Sequence, residues 1–197
     1  MKLNTPNKLT VARMIITPVF LAVLLWENLP HNYLVALIIF SAASVTDAID
    51  GRLARKNNQI TNFGKLLDPI ADKMLTTAAL LGFMKMGLCN IWIVMIVLTR
   101  EFVIASIRMT AAAGGVVIPA NFWGKLKTVT QMGFTVVIML LCEVYRYAPD
   151  VVGDLNIPDI LSLSNISNFL LWITAVLAVI SGVIYIMDSR KVIDFTK

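Results

Sequence analysis

Phe169-LLWITAVLAVISGVIYI-Met187 is a run of 19 residues without one charged side chain. A helix of that length crosses the roughly 30 Å hydrocarbon core of a bilayer. It is the one stretch charge-free for long enough to span unaided, and the rest of the chain has the same character. Of 197 residues, 58% are hydrophobic and 15% charged, and the mean hydropathy is +0.79. A soluble domain carries about 25% charged residues and 45–50% apolar ones. That balance excludes a water-soluble enzyme and a disordered chain, and two cysteines exclude a disulfide scaffold. At about 20 residues per crossing there is room for about six helices and no separate soluble domain.

The spans read as 9–27, 33–55, 66–86, 91–112, 124–146 and 166–187. They are separated by turns such as Asn28-Leu29-Pro30-His31-Asn32, Lys56-Asn57-Asn58-Gln59, Met86-Gly87-Leu88-Cys89-Asn90 and Gly114-Gly115, and by the stretch from Pro149 to Asn165. No repeat or linker divides residues 1–197, so one all-α, polytopic membrane domain is expected. The N-terminus does not read as a cleaved signal peptide, because Trp26, Glu27 and Asn28 stand where a small-residue cleavage pattern would lie. With the N-terminus inside, 15 of the 17 basic and 7 of the 12 acidic residues fall on the inner side, leaving it at +8 and the outer side at −3. The positive-inside rule then puts both termini in the cytoplasm of a multi-pass cell-membrane protein. The basic excess suits an anionic lipid surface or a phosphorylated substrate and requires no nucleic acid.

The second and third spans reach membrane length only by including carboxylates, and charge at membrane depth marks function by default. Asp47 lies 14 residues in from Tyr33, roughly 21 Å. Asp72 lies the same 14 residues in from Met86. Asp47 with Asp50, and Asp68 with Asp72, each share a helical face. Four carboxylates converging on one volume need cations. All-oxygen ligation selects a hard divalent ion, Mg²⁺ or Mn²⁺, and four suit two ions better than one. Gly51 and Ala54 remove bulk beside Asp50, and Arg55 offers a planar fork suited to phosphate. Gly64 can turn the chain into the third helix. Taken alone, Asp68-Pro69 reads as an N-cap with a first-turn proline.

Read whole, Asp47-x2-Asp50-Gly51-x2-Ala54-Arg55-x8-Gly64-x3-Asp68-x3-Asp72 resembles, at every fixed position, the signature of the CDP-alcohol phosphatidyltransferases. Eight such matches would arise by chance about once in 10⁹ trials. Two shorter segments are similar to bacterial members that use glycerol 3-phosphate. They are Asn7-Lys8-Leu9-Thr10-Val11-Ala12-Arg13 and Gly124-Lys125-Leu126-Lys127-Thr128-Val129-Thr130-Gln131, with Thr99-Arg100-Glu101 upstream of the second.

The resemblance implies a phosphatidyl transfer from CDP-diacylglycerol to sn-glycerol 3-phosphate, with release of CMP at a site facing the cytoplasm, in a homodimer. It implies two divalent cations on Asp47, Asp50, Asp68 and Asp72, with Asp72 also the general base. Gly51, Arg55, Thr61, Asn7 and Arg13 would hold the donor, and Lys127, Arg108, Lys125 and Arg100 are candidates for the acceptor phosphate. Gly124, Lys127, Thr128 and Gln131 are expected on one inward face, with Lys125 pointing elsewhere. An ion-pair lattice joining Glu101 to Arg108 is the alternative for those two residues. Inositol phosphate or serine as acceptor, and a cation transporter, remain as rivals, the last opposed by an Arg in the ion path. His31 is expected to be solvated. Cys89 and Cys142 both map near the outer surface, where a disulfide is conceivable.

Overall fold

In the computed structural model the backbone is described for residues 5–56, 62–114, 119, 121–148 and 162–189, and the side chains for 10–46, 70–71, 73–112, 114, 119, 121–148 and 162–189. These residues form six α-helices and no strand: α1 Thr5–Leu25, α2 Asn32–Lys56, α3 Asn62–Lys85, α4 Ile91–Ala113, α5 Phe122–Tyr147 and α6 Leu163–Ser189. A helix lies over each expected span. Two of them, α5 and α6, are long and apolar enough to cross a membrane by length and composition alone.

Local chemistry fixes the ends. The Asn90 side chain accepts from the Trp92 N–H and caps α4, and the Asn121 side chain accepts from the Gly124 N–H and caps α5. Gly87 turns the chain between α3 and α4 at φ +74°, where glycine carries no steric penalty.

The start of α3 differs from expectation. The helix begins at Asn62, so Gly64 lies inside it and Asp68-Pro69 is no N-cap. Intrinsic preference alone disfavours both residues there, Gly by about 1 and Pro by about 3 kcal/mol. Packing of α3 along α1 outweighs that preference.

Neighbouring helices run round the bundle in the order α1, α2, α5, α6, α4, α3 and back to α1, and α3 also meets α5 across the middle. The bundle has two unlike ends. At the end formed by the α1–α2 and α3–α4 turns, the interior is apolar, with Phe20, Leu24, Phe40, Phe83, Ile93, Ile138 and Leu171 buried. There Phe20 meets Phe40 at 5.6 Å between ring centres.

A clasp closes that end. Arg146 Nη1 donates to Asn32 Oδ1 at 2.9 Å and Nη2 to the Glu27 carbonyl, while the guanidinium lies 5.7 Å over the Tyr33 ring. His31 is solvated as expected, with 56% of its side chain exposed, and it also lies 2.5 Å through Nδ1 from Glu143 Oε1 and stacks on Tyr147 at 4.2 Å. Its backbone N–H donates to the Tyr147 hydroxyl at 2.7 Å. These contacts hold His31 at φ 51°, which non-glycine residues seldom adopt. Cys89 and Cys142 are buried free thiols, with no disulfide between them.

Candidate active site

The signature aspartates lie on the half of the bundle opposite the clasp. Asp47 and Asp50 are on the last part of α2, Asp68 and Asp72 on the first part of α3. The packing of α1 serves as a gauge of depth for both. Asn32 Nδ2 donates to the Leu24 carbonyl at 3.0 Å, and Phe20 meets Phe40, which sets α2 against α1. Leu24 and Leu21 close on Gly82, where an added Cβ would stand 2.6 and 3.2 Å from them, which sets α3. Counted at about 1.5 Å per residue, Asp47 and Asp72 both fall near the level of Val11 to Arg13, and Asp50 and Asp68 about one turn beyond. The two sequence pairs therefore share depth on two helices that α1 and α5 both touch.

The side chains of Asp47, Asp50, Gly51, Arg55, Asp68, Asp72 and Asn7, and Thr61 altogether, lie outside the described residues. Arg13 is described. It is 7% exposed, with Thr10 and Thr17 buried on the same stretch of α1.

Beside Asp72 begins a charged cluster that the sequence did not reveal as a unit. Lys73 Nζ donates to the Glu101 carbonyl at 2.9 Å and lies 3.3 Å from Oε2. Lys127 Nζ donates to Glu101 Oε1 at 2.6 Å, and Arg100 Nη1 to the same oxygen at 3.0 Å. Three cations from α3, α4 and α5 thus gather on one carboxylate, leaving the group at +2. Arg100 Nη2 continues to Ser181 Oγ on α6 at 2.5 Å. Small residues make room for it: a Cβ on Gly124 would come within 3.2 Å of Arg100 Nη2, and one on Gly182 within 3.3 Å of its Cγ. Two N–H donors here, Arg100 Nε and Asn121 Nδ2, are buried without a partner among the described residues. They stand at the N-terminus of α5, where backbone N–H groups and the helix dipole favour an anion.

The remaining candidates separate. Lys127 and Gln131 are buried, whereas Thr128 faces outward and bonds back to the Gly124 carbonyl at 3.1 Å. The expected shared face therefore holds for Lys127 and Gln131 and fails for Thr128. Lys125 is exposed. Arg108 donates through Nε to the Tyr185 hydroxyl at 3.2 Å and lies 5.3 Å over that ring. It takes no part in the lattice around Glu101, because seven residues along one helix are about 10 Å apart, beyond side-chain pairing. Lys73 is the residue that sequence reasoning missed, and Glu101, offered in sequence as a partner for Arg108, instead pairs with Lys73, Arg100 and Lys127. A signal existed for Glu101, which is the sole acid in the apolar α4.

The profile of the CDP-alcohol phosphatidyltransferases matches residues 3–180. The chain belongs to that family. It is 36% identical over 190 residues to the CDP-diacylglycerol–glycerol-3-phosphate 3-phosphatidyltransferase of Bacillus subtilis, covering 91% of each chain. The enzyme of that name from Rickettsia bellii is 34% identical over 188 residues, 95% of this chain and 96% of the relative. A probable phosphatidylglycerophosphate synthase of Mycobacterium tuberculosis is 42% identical over 130 residues, 65% of this chain and 62% of the relative. The chain is thus a phosphatidyltransferase dependent on a CDP-alcohol donor, in a family of membrane enzymes.

Proposed function

We propose that this enzyme transfers the phosphatidyl group of CDP-diacylglycerol to the primary hydroxyl of sn-glycerol 3-phosphate, releasing CMP and phosphatidylglycerophosphate. One observation narrows the acceptor to one that bears a phosphate, and the names of the relatives favour glycerol 3-phosphate over inositol phosphate. A cluster of net +2, with buried N–H donors unmet among the described residues, sits at the level of Asp72. A phosphate monoester carries about two negative charges near neutral pH, so an acceptor that already bears a phosphate fits this cluster and serine does not.

The carboxylates suit metal. Four aspartates, paired in depth across two helices, would offer an all-oxygen set for two hard divalent cations, Mg²⁺ or Mn²⁺. When bound, such ions supply charge neutralisation to the pyrophosphate and to the departing CMP. Asp72 takes the proton from the acceptor hydroxyl as general base. Gly51, Arg55 and Thr61 hold the cytidine diphosphate, and Asn7 and Arg13 close over it from α1. Lys127 and Arg100 hold the acceptor phosphate. Lys125, exposed, and Arg108, held on Tyr185, stand further from that task.

All six helices cross the cell membrane, with both termini and the aspartate end in the cytoplasm. Exposed Phe102, Met109, Trp172 and Val176 face lipid or the second copy of a homodimer. The test is CMP release from CDP-diacylglycerol by purified protein in lipid vesicles after chelation of metal. Activity should return with Mg²⁺ or Mn²⁺ and require glycerol 3-phosphate. Release that is metal-independent, or that prefers inositol phosphate or serine, would overturn the assignment.

A further inference from the structure

Glu101 stands in the middle of an apolar helix, yet it touches basic side chains from three helices. Its Oε1 is shared by Lys127 and Arg100, and its Oε2 faces Lys73. Lys127 is the most enclosed of the three, with 3% of its side chain exposed. Without the carboxylate between them, three cations at this spacing would repel one another and splay, because the buried setting screens charge poorly. A buried ionic cluster is weak evidence for stability as such, since desolvation offsets most of the attraction. Its placement points elsewhere: Lys73 directly follows Asp72, so Glu101 ties α4 and α5 to the turn of α3 that carries the general base.

We propose that Glu101 is a positioning residue for the acceptor. It holds Lys127 and Arg100 side by side at the depth of Asp72, and its single charge leaves the group at +2, matched to a phosphate dianion. This rests on Lys127 and Arg100 binding the acceptor phosphate. Glu101 acts through those cations and touches no reacting atom.

The test compares Glu101→Gln, Lys127→Gln, the double variant and Glu101→Asp, each as the full chain in lipid vesicles. It reads kcat and both Michaelis constants from CMP release. Glu101→Gln keeps the shape and removes the charge. It should raise the KM for glycerol 3-phosphate about tenfold, with kcat and the KM for CDP-diacylglycerol within about twofold of wild type. The double variant should be no worse than Lys127→Gln by more than about twofold, because two residues acting as one unit are not additive. Glu101→Asp, charged but one methylene shorter, should raise the acceptor KM by only about threefold, a partial rescue. That variant also decides the matter should Glu101→Gln fail to fold.

If Lys127→Gln raises the acceptor KM and neither Glu101 variant does, positioning by Glu101 is wrong and the acceptor assignment stands. If Lys127→Gln leaves that KM unchanged, the acceptor assignment itself falls, and the role of Glu101 with it. Additive effects in the double variant, or equal rises in both Michaelis constants, also overturn the proposal.

Discussion

The two halves of the bundle interior are built on different physics. Toward the clasp, Phe20, Phe40, Phe83, Ile93 and Ile138 fill the centre, and Phe20, Phe83, Ile93 and Ile138 have no exposed surface. Toward the aspartates the interior carries Arg13, Lys127, Gln131, Ser181 and the Glu101 cluster. Dispersion and shape set the centre of the first half, where charge is kept to the clasp at its end, and charge sets the centre of the second. Charge is the more costly way to fill a membrane bundle, since each ion must be desolvated before its partner repays it. A chain selected only to fold would pack both halves alike. The difference separates a scaffold from the proposed site within one short bundle, and variants in the two halves should fail in different ways.

The largest effect is expected at the aspartate end. Asp68→Asn or Asp47→Asn should cut CMP release at least about a thousandfold while the protein stays folded in the membrane, because several kcal/mol of charge stabilisation disappear. Near-normal turnover in either variant would remove the two-metal assignment. In the apolar half the loss should fall on stability. Phe40→Ala should cost about 3 kcal/mol, near the lower end for such a truncation because lipid already solvates apolar groups. Thermal unfolding in detergent would show it, with both Michaelis constants unchanged in the remaining folded protein; a selective change in either would blur the division.

A contact to the acceptor phosphate is a smaller matter. Lys127→Ala should raise the KM for glycerol 3-phosphate by one to two decades, the value of about 1.5–3 kcal/mol for a charge-assisted bond. Arg55→Ala should raise that for CDP-diacylglycerol instead. Smaller again is the clasp. Arg146→Ala leaves Asn32 Oδ1 buried without its donor and should cost about 1 kcal/mol of stability, again with no change in either KM.

The last prediction concerns sidedness and should leave activity untouched. Asp154→Cys should react with an impermeant maleimide from outside intact cells, and labelling only after lysis would reverse the orientation. Cys89, in the α3–α4 turn and 5% exposed, should stay silent at pH 7.5. Burial pushes its thiol up to about 12, so the reactive thiolate is scarce until the pH approaches that value.

Much of the fold was legible because a bilayer imposes its own period. Six apolar runs interrupted by polar turns translate directly into six helices, with ends displaced by a few residues. The displacement at α3 has a specific cause. Gly64 and Pro69 are read as helix breakers from local preference, and the helix runs through both because it packs along α1. The aspartate spacing was equally readable, since residues three or four apart share a face whatever surrounds them. The exposure of His31 was readable too, but its contacts were not. Its partners Glu143 and Tyr147 are more than a hundred residues away, and nothing near His31 in sequence announces them.

What the sequence by itself determined is what lies within one helix or one motif: the membrane class, the helix count, the Asp47–Asp72 signature and the likeness to a family. Those depend on composition and short spacing, which survive any arrangement of the helices. Only the tertiary structure decided which helices are neighbours and at what height their side chains meet. In the sequence Arg100 and Lys127 stand together only as candidates for the acceptor phosphate, and Lys73 is one of the basic residues of the inner side. All three form one cluster because α3, α4 and α5 meet at the level of Glu101, and Gly124 and Gly182 are small enough to let Arg100 lie between α5 and α6. Charge interactions depend on distances between helices, and those distances are set by packing.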